Sequence, residues 1–284
     1  MQNVCFINKP KGLTSFDVCY KMRKCLKTKA VGHTGTLDPN ATGVMIILYD
    51  KTCKANPFLV ADKKEYIAKV VFGYETDTLD IDGKKINECL DYKAPSKDKV
   101  IEAMNGFLGK SMQKPPMTSA IKINGKKLYE YQRANQEIEI PLREIEVFAI
   151  ELLELDEYSL TFKTMVSSGT YIRSLCKDIL AELNLIGTLE ELTRTKINDI
   201  DLKDCDDLET AMNGQISEHK LIDLIAKRYK LVEADDVMAK KVKNGHKLRF
   251  RFDDSPIAIV QNDEVLAMYG LEDDGFYHSI RGLF

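Results

Sequence analysis

Apolar residues near the start of the chain recur with the spacing of an amphipathic helix. The helix is predicted to begin at Ser15, whose hydroxyl can cap its first turn. Basic residues fill most positions between the apolar ones, so the outward face of this helix is predicted to be cationic. The apolar positions are Val18, Cys19, Met22, Cys25 and Leu26, and the basic positions are Lys21, Arg23, Lys24 and Lys27.

The same spacing predicts three further helices. One follows Ser96 and ends near Gly109, another covers residues 172–183, and Thr188 with Glu191 forms the capping box of a short third helix. Alternation of apolar and polar residues predicts strands, because successive strand side chains point to opposite faces. Short apolar runs also predict strands. Together, the two patterns predict strands over residues 44–48, 65–73, 160–166, 257–261 and 265–269.

This mixture of helices and strands indicates an α+β fold. After about residue 228 the pattern changes, because a helix stop at Asn244-Gly245 is followed by short strands around a turn at residues 262–264. We therefore predict a large domain over residues 1–228 and a small β-rich module over residues 229–284.

The composition excludes two classes of protein. Seven cysteines are scattered among 284 residues without a Cys-x-x-Cys pair, which argues against a disulfide framework and a zinc site. The chain has no run of 18 apolar residues, and its first residues lack the basic and apolar regions of an export signal. A soluble cytoplasmic protein without a bound metal is predicted.

The charge is unevenly distributed along the chain. The net charge is -3, yet residues 1–60 hold nine Lys and Arg against three Asp and Glu, and residues 111–135 hold five against one. Two basic segments on an acidic background can present a positive face to phosphates, because attraction depends on the local field. Ordinary solvated surface charge is the alternative interpretation.

Several common motifs are missing. The chain contains neither the phosphate-binding loop Gly-x4-Gly-Lys-Ser/Thr nor Gly-x-Gly-x-x-Gly, so no nucleotide cofactor is predicted. Residues 77–83 resemble a calcium loop but lack its ligand spacing, and we interpret them as a polar loop. The four histidines are far apart in sequence, which argues against a metal centre.

Residues 32–45 form the most informative segment of the chain. Three glycines and a proline surround one acidic residue, Asp38, and indicate a tight loop that can approach a ligand closely. A carboxylate held in this way can act as a nucleophile or as a base. An aspartate before a proline is also a common turn former, and both interpretations are open at this point.

Five motifs in colinear order over about residues 4–200 resemble those of the TruB-type pseudouridine synthases. They are Lys9-Pro10-x-Gly12-x-Thr14-Ser15, Gly32-His33-x-Gly35-Thr36-Leu37-Asp38-Pro39-x-Ala41-x-Gly43-Val44, Lys64-x-Tyr66, Pro115-Pro116-Met117-x-Ser119-Ala120-x-Lys122 and Ser167-Ser168-Gly169-Thr170-Tyr171-Ile172-Arg173-Ser174. One departure from the family pattern is Thr193-Arg194-Thr195, which stands where relatives carry a doubled arginine.

The resemblance implies a fold and a reaction. The fold is a mixed, mostly antiparallel sheet with flanking helices, and residues 229–284 resemble a reduced PUA-type RNA-binding module. The reaction is the isomerisation of uridine to pseudouridine at position 55 in the T loop of tRNA. The enzyme flips the base out of the RNA, and it uses no cofactor and no metal. The implied partner is the T arm of tRNA, bound by a monomer that requires no protein partner.

The resemblance also assigns roles to residues. Asp38 matches the catalytic aspartate, Arg173 the arginine that pairs with it, and Tyr66 the tyrosine that stacks on the flipped base. His33 and Leu192 match residues around that base. Lys9 matches a lysine of the motif that supports the catalytic loop, and both this structural role and an RNA contact are open for it. Further candidates for RNA binding are Tyr171, Lys21, Arg23, Lys24, Lys122, Lys126, Lys127 and Arg133.

Two other functions are alternatives to this one. A non-catalytic RNA-binding or tRNA-folding protein would keep the fold without the chemistry, and loss of Asp38 or Arg173 would indicate it; both residues are present. An aspartate-dependent hydrolase is disfavoured, because no second acidic residue or metal cluster lies near Asp38 in the sequence.

Overall fold

The architecture is taken from a computed structural model that describes residues 2–89, 91–119, 121–134 and 136–284. Ala120 of the fourth motif lies outside the described residues. The α-helices are α1 (Ser15–Cys25), α2 (Lys97–Asn105), α3 (Leu128–Arg133), α4 (Ile172–Glu182), α5 (Leu208–Met212), α6 (Leu221–Ala226) and α7 (Asp236–Lys243). Two 3-10 helices cover Asp50–Phe58 and Leu202–Asp204.

The strands carry most of the fold. In chain order they are β1 (Asn3–Lys9), β2 (Val31–His33), β3 (Thr42–Tyr49), β4 (Lys63–Phe72), β5 (Tyr74–Thr76), β6 (Lys85–Glu88), β7 (Gly109–Gln113), β8 (Lys122–Ile123), β9 (Lys126–Lys127), β10 (Arg143–Leu155), β11 (Ser159–Ser167), β12 (Gly187–Ile197), β13 (Ile200–Asp201), β14 (Asp206–Asp207), β15 (Glu218–Lys220), β16 (Lys230–Glu233), β17 (Ile257–Gln261), β18 (Glu264–Leu271) and β19 (Tyr277–Gly282).

The chain divides into two compact units. Unit 1 contains the residues up to Pro39, Gly43–Val60 and Leu202–Phe284, and unit 2 contains Asn40–Thr42 and Ala61–Asp201. In unit 1, β1 pairs antiparallel with β3 and β15 and parallel with β14, and α1 packs on them through a buried apolar cluster. Unit 1 also holds the four-stranded C-terminal sheet in the order β16-β17-β18-β19.

Unit 2 is built on an antiparallel sheet in the order β12-β4-β11-β10-β7. Its second strand, β4, buries Tyr66, Ala68, Val70 and Phe72 on one face, as the alternation predicts. Helix α4 covers β12 and buries Leu175, Ile179 and Leu180 among its apolar residues. The predicted α+β class with a mixed, mostly antiparallel sheet and flanking helices is confirmed.

The predicted cap of α1 is one residue out of place. Thr14 is the N-cap, because its hydroxyl accepts a hydrogen bond from the Asp17 amide while the Asp17 carboxylate accepts one from the Thr14 amide. Ser15 is buried in the first helical turn and uses its hydroxyl elsewhere. The prediction was wrong because both residues are good caps and only the contacts of Ser15 distinguish them.

Two other helix predictions need correction. Thr188 and Glu191 do not start a helix but lie in β12, where Thr188 donates a hydrogen bond to the Tyr74 carbonyl. Pairing with β4 over nine residue pairs outweighs the local capping signal. Helix α2 ends at Asn105 rather than near Gly109, and Gly109 starts β7 with a φ of 89°.

The C-terminal sheet agrees with the small β-rich module that the resemblance implies. Its hairpin between β17 and β18 has a two-residue turn, in which Asn262 and Asp263 both have positive φ values. The Gln2 side chain donates hydrogen bonds to the carbonyls of Val265 and Leu283. The C-terminal sheet therefore shares a compact unit with β1, and the domain boundary at residue 228 stays a prediction.

No helix among the described residues is long and apolar enough to cross a membrane.

The fold makes a prediction about Gly187, the first residue of β12. A Cβ at this position would lie 2.4 Å from the Val71 carbonyl oxygen and 2.6 Å from Leu180 Cδ1. Gly187→Ala should therefore lower the free energy of unfolding by about 1–3 kcal/mol, as overpacking of a core does. Urea unfolding measures the loss.

The matched control is Gly32→Ala, because a Cβ on Gly32 meets no atom within 4 Å. It should change the free energy of unfolding by less than about 0.5 kcal/mol. Equal stabilities of the two variants would contradict the close approach of β12 to β4 and α4.

Candidate active site

Asp38 lies in the loop between β2 and β3, at the end of the first segment of unit 1. The neighbouring Leu37 is buried, whereas Asp38 is half-buried and Pro39 is exposed. Burial of Leu37 anchors the loop, and the carboxylate that follows it is partly open to solvent. The loop is therefore anchored by the residue that directly precedes Asp38.

The first motif holds this loop from both sides of Asp38. The Ser15 hydroxyl donates to the Leu37 carbonyl at 3.1 Å and accepts from the Leu37 amide at 2.8 Å. The Lys9 ammonium donates to the Pro39 carbonyl at 3.1 Å and to the Pro10 carbonyl at 2.9 Å. Lys9 is fully buried, so these charge-assisted bonds form away from water and position the backbone on either side of the carboxylate.

Other predicted RNA-binding residues of unit 1 lie on two elements. His33 is half-buried at the end of β2, opposite Ile47 of β3. Lys21 and Lys24 lie on α1, whose first turn contacts the Asp38 loop through Ser15.

In unit 2, Tyr66 lies at the centre of the antiparallel sheet. It is directly opposite Thr164 of β11 and Arg194 of β12, and residues opposed in this way project to the same face. Leu192 is opposite Ala68 on the same face. The structure thus places Tyr66 and Leu192 together, and it adds Arg194, whose side chain is fully buried.

Lys64 shares that face, because it lies two residues before Tyr66 on β4. Burial, together with the positive charge of Arg194, lowers the pKa of Lys64 to about 8. Two cationic side chains are therefore concentrated beside Tyr66. In the sequence, Arg194 is only a departure from the family pattern. Its position beside Tyr66 follows from the register of β12 on β4.

Arg173 lies in the first turn of α4 and is almost completely buried. Its guanidinium donates to the Thr78 carbonyl at 3.0 Å and to the Thr118 hydroxyl, and it lies 3.5 Å from the Asp80 carboxylate. Asp80 is itself held by the Thr78 hydroxyl at 2.6 Å. The polar loop at residues 77–83 thus supports Arg173. Sequence reasoning missed this role because the hydrogen bond between Arg173 and Thr78 joins residues 95 positions apart.

Tyr171 is the N-cap of α4, and the side chain of Gln113 holds its backbone. The Gln113 carboxamide accepts a hydrogen bond from the Tyr171 amide at 2.8 Å and donates one to the Tyr171 carbonyl at 3.1 Å. The Ser174 hydroxyl donates to the Lys114 carbonyl at 2.9 Å. These three bonds fix the start of α4 and hence the position of Arg173.

The remaining predicted lysines form a separate basic hairpin in unit 2. Lys122 on β8 is directly opposite Lys127 on β9, and Lys126 lies next to the turn. Aromatic rings of α3 accompany them, since the Lys127 ammonium lies 5.3 Å from the ring centroid of Tyr129. Among the described residues, no group of three His, Cys, Asp or Glu side chains could hold a metal ion.

Comparison with known proteins decides the family. The sequence model of the TruB family pseudouridylate synthase, N-terminal domain, matches residues 23–172. The chain belongs to this family.

Relatives in the TruB family match over most of the chain. A protein of Oceanobacillus iheyensis named tRNA pseudouridine synthase B is 40% identical over 95% of this chain and 92% of its own length. A protein of the same name from Fusobacterium nucleatum is 45% identical over 72% of this chain and 70% of its own length. The chain is a pseudouridine synthase and therefore an isomerase, as the resemblance implies.

Solved structures show the same fold at low identity. A structure of the archaeal box H/ACA sRNP Nop10-Cbf5 complex matches with a TM-score of 0.73 and 19% identity, covering 100% of this chain and 86% of that chain. A Cbf5-Nop10-Gar1 complex matches with a TM-score of 0.69 and 24% identity, over 95% of this chain and 78% of that chain. These likenesses support the pseudouridine-synthase fold.

The contacts of Ser15 yield a prediction about the Asp38 loop. Ser15→Ala leaves the buried amide and carbonyl of Leu37 without their partner, which should lower the free energy of unfolding by about 1–3 kcal/mol. Hydrogen exchange of the Leu37 amide should become faster at the same time. Ser96→Ala is the matched control, because the Ser96 hydroxyl makes no capping bond to α2. Unchanged hydrogen exchange at Leu37 in both variants would argue against the contact between Ser15 and Leu37.

The lowered pKa of Lys64 yields a pH prediction. The folded-state value of about 8 lies below the ordinary value of 10.5, so between these values the unfolded chain binds more protons and stability rises with pH. The difference in unfolding free energy between the parent and Lys64→Met should therefore shift in favour of the parent across this window. NMR titration of labelled lysine side chains should show one midpoint near 8, and a Lys64 midpoint near 10.5 would refute the burial of its ammonium.

Proposed function

We propose that this chain isomerises uridine to pseudouridine at position 55 in the T loop of tRNA. The observation that carries the proposal is the Asp38 loop, which the buried Lys9 and Ser15 hold on both sides in a chain whose relatives are named tRNA pseudouridine synthase B. The relatives' names support tRNA as the substrate, and the T-loop position comes from the motif resemblance.

The reaction breaks the bond between uracil N1 and the ribose C1′, turns the base, and joins C5 to C1′. It leaves the atoms of the nucleoside unchanged in number, with the proton of C5 replaced by the new bond and a proton added at N1. In the proposed mechanism, the Asp38 carboxylate either attacks C1′ or assists loss of the base through a glycal. Neither route consumes an external reductant or energy source.

The other site residues have binding and positioning roles in this proposal. Tyr66 stacks on the flipped base, and Leu192 provides an apolar wall on the same face of the sheet. Arg173 pairs with the Asp38 carboxylate. Asp80 supports that role by holding the buried guanidinium in place. His33 occupies the space that the base leaves in the RNA.

The basic residues bind phosphates, and Tyr171 contributes to the RNA-binding surface. Each phosphate contact adds to the salt dependence of binding without selecting a sequence. We propose that a monomer performs these steps without a protein partner. The proposed phosphate contacts are Lys21, Arg23, Lys24, Lys122, Lys126, Lys127 and Arg133.

Tritium release from 5-labelled uridine tests the reaction. The substrate is a T-arm stem-loop that carries the label either at position 55 or at the neighbouring position 54. The parent should release tritium from position 55 alone, and Asp38→Asn should abolish release while the dissociation constant for RNA changes by no more than a few fold. Asparagine keeps the size of the side chain but cannot act as a nucleophile or a base here.

A second variant tests the partner of the carboxylate. Arg173→Lys keeps the charge but loses the planar donor set, so its turnover should fall at least tenfold.

Equal turnover by the parent and Asp38→Asn would reject the catalytic role of Asp38. RNA binding by a parent that releases no tritium would favour the non-catalytic RNA-binding alternative.

A further inference from the structure

Helix α1 carries an unusual outward face. Phe16 and Tyr20, one helical turn apart, expose 63% and 54% of their surface, although the opposite face of the helix already buries Val18, Cys19 and Met22. An amphipathic helix ordinarily places polar residues on this side. Large exposed rings in a row therefore indicate a surface that binds a partner.

A cation accompanies each exposed ring. The Arg23 guanidinium carbon lies 5.6 Å from the ring centroid of Phe16, and the Lys24 ammonium lies 5.9 Å from that of Tyr20. The Arg23 Nε atom is buried and has no hydrogen-bond partner among the residues that the structure describes. The face thus offers flat apolar surfaces with positive charge next to them, a combination that we call the α1 stripe (Phe16, Tyr20, Arg23 and Lys24).

The α1 stripe starts at the Asp38 loop. Ser15, the residue before Phe16, makes both hydrogen bonds to Leu37, which is the residue before Asp38. From Phe16 to Lys24 the helix rises about 12 Å, at about 1.5 Å per residue. This length matches about three stacked nucleotides at about 3.4 Å each.

We propose that the α1 stripe binds unpaired nucleotides of the same RNA that enters the Asp38 site, an inference that rests on the proposed function. Phe16 and Tyr20 stack on bases, and Arg23 and Lys24 bind the phosphates that join them. Proteins that bind single-stranded nucleic acids combine these two elements, because every base offers a flat face and every linkage a negative charge. An acidic protein or an anionic lipid surface would match the cations but would leave the rings without flat partners.

Tryptophan fluorescence tests the stacking directly. The chain contains no tryptophan, so Phe16→Trp and Tyr20→Trp each introduce a single fluorophore into the stripe. The T-arm stem-loop should quench the emission of both variants, because a stacked base removes the excited state. A polyglutamate peptide and phosphatidylglycerol vesicles should leave the emission unchanged. Quenching by either of these two, or no quenching by RNA, would overturn the proposal.

Binding measurements separate stacking from charge. Phe16→Ala and Tyr20→Ala should each weaken RNA binding by about fivefold or more, with the slope of log Kd against log salt unchanged. Lys24→Gln should instead reduce that slope by about one. The matched control is Tyr158→Ala, because Tyr158 lies outside α1 and exposes 65% of its surface. This variant should bind RNA as the parent does. A loss of binding by this control equal to that of the α1 variants would refute the assignment to α1.

The two proposals fail in different ways. Tritium release by the parent without any change in the tryptophan emission would refute the α1 stripe and leave the proposed reaction standing. Quenching by the stem-loop in a chain that releases no tritium would refute the proposed reaction and leave the stripe as an RNA-binding surface. Circular dichroism of each variant serves as the control for retention of the fold.

Discussion

The candidate active site depends on a buried ammonium group that holds a loop. Lys9 is fully buried, and two backbone carbonyls that accept hydrogen bonds from its ammonium help to stabilise the charge there. One of these carbonyls belongs to Pro39, immediately after Asp38. The cost of burying the charge is thus offset by bonds that also restrict the Asp38 loop. The Ser15 hydroxyl completes the restraint on the other side of Asp38 through Leu37.

Buried positive charge is also the main feature of unit 2. Arg173 is held by backbone and side-chain oxygens together with the Asp80 carboxylate, while Lys64 and Arg194 lie beside Tyr66. The net charge of the chain is -3, so its total charge does not favour RNA. Local concentration of cations resolves this difficulty, because a polyanion responds to the field near its binding surface.

Periodicity predicted the elements whose burial follows the local pattern. Strands β4 and β11 and helices α1 and α4 are confirmed because their apolar residues repeat at the spacing of the element they form. The predicted short helix at Thr188 was wrong because a long strand partner outweighs a local cap. Asp80 and Arg194 were missed as site residues for a related reason: their contacts with Arg173 and Tyr66 join segments that are distant in sequence.

The sequence by itself determined the family, the order of its motifs, the aspartate that we propose as catalytic and most of the regular elements. These features are encoded by residue types at short spacings, which act through local backbone geometry. Only the tertiary structure decided which groups surround the functional side chains. The contact of Arg173 with Thr78 joins residues 95 positions apart, and the approach of Arg194 to Tyr66 follows from strand register. Such contacts depend on chain topology and burial, which no local pattern specifies.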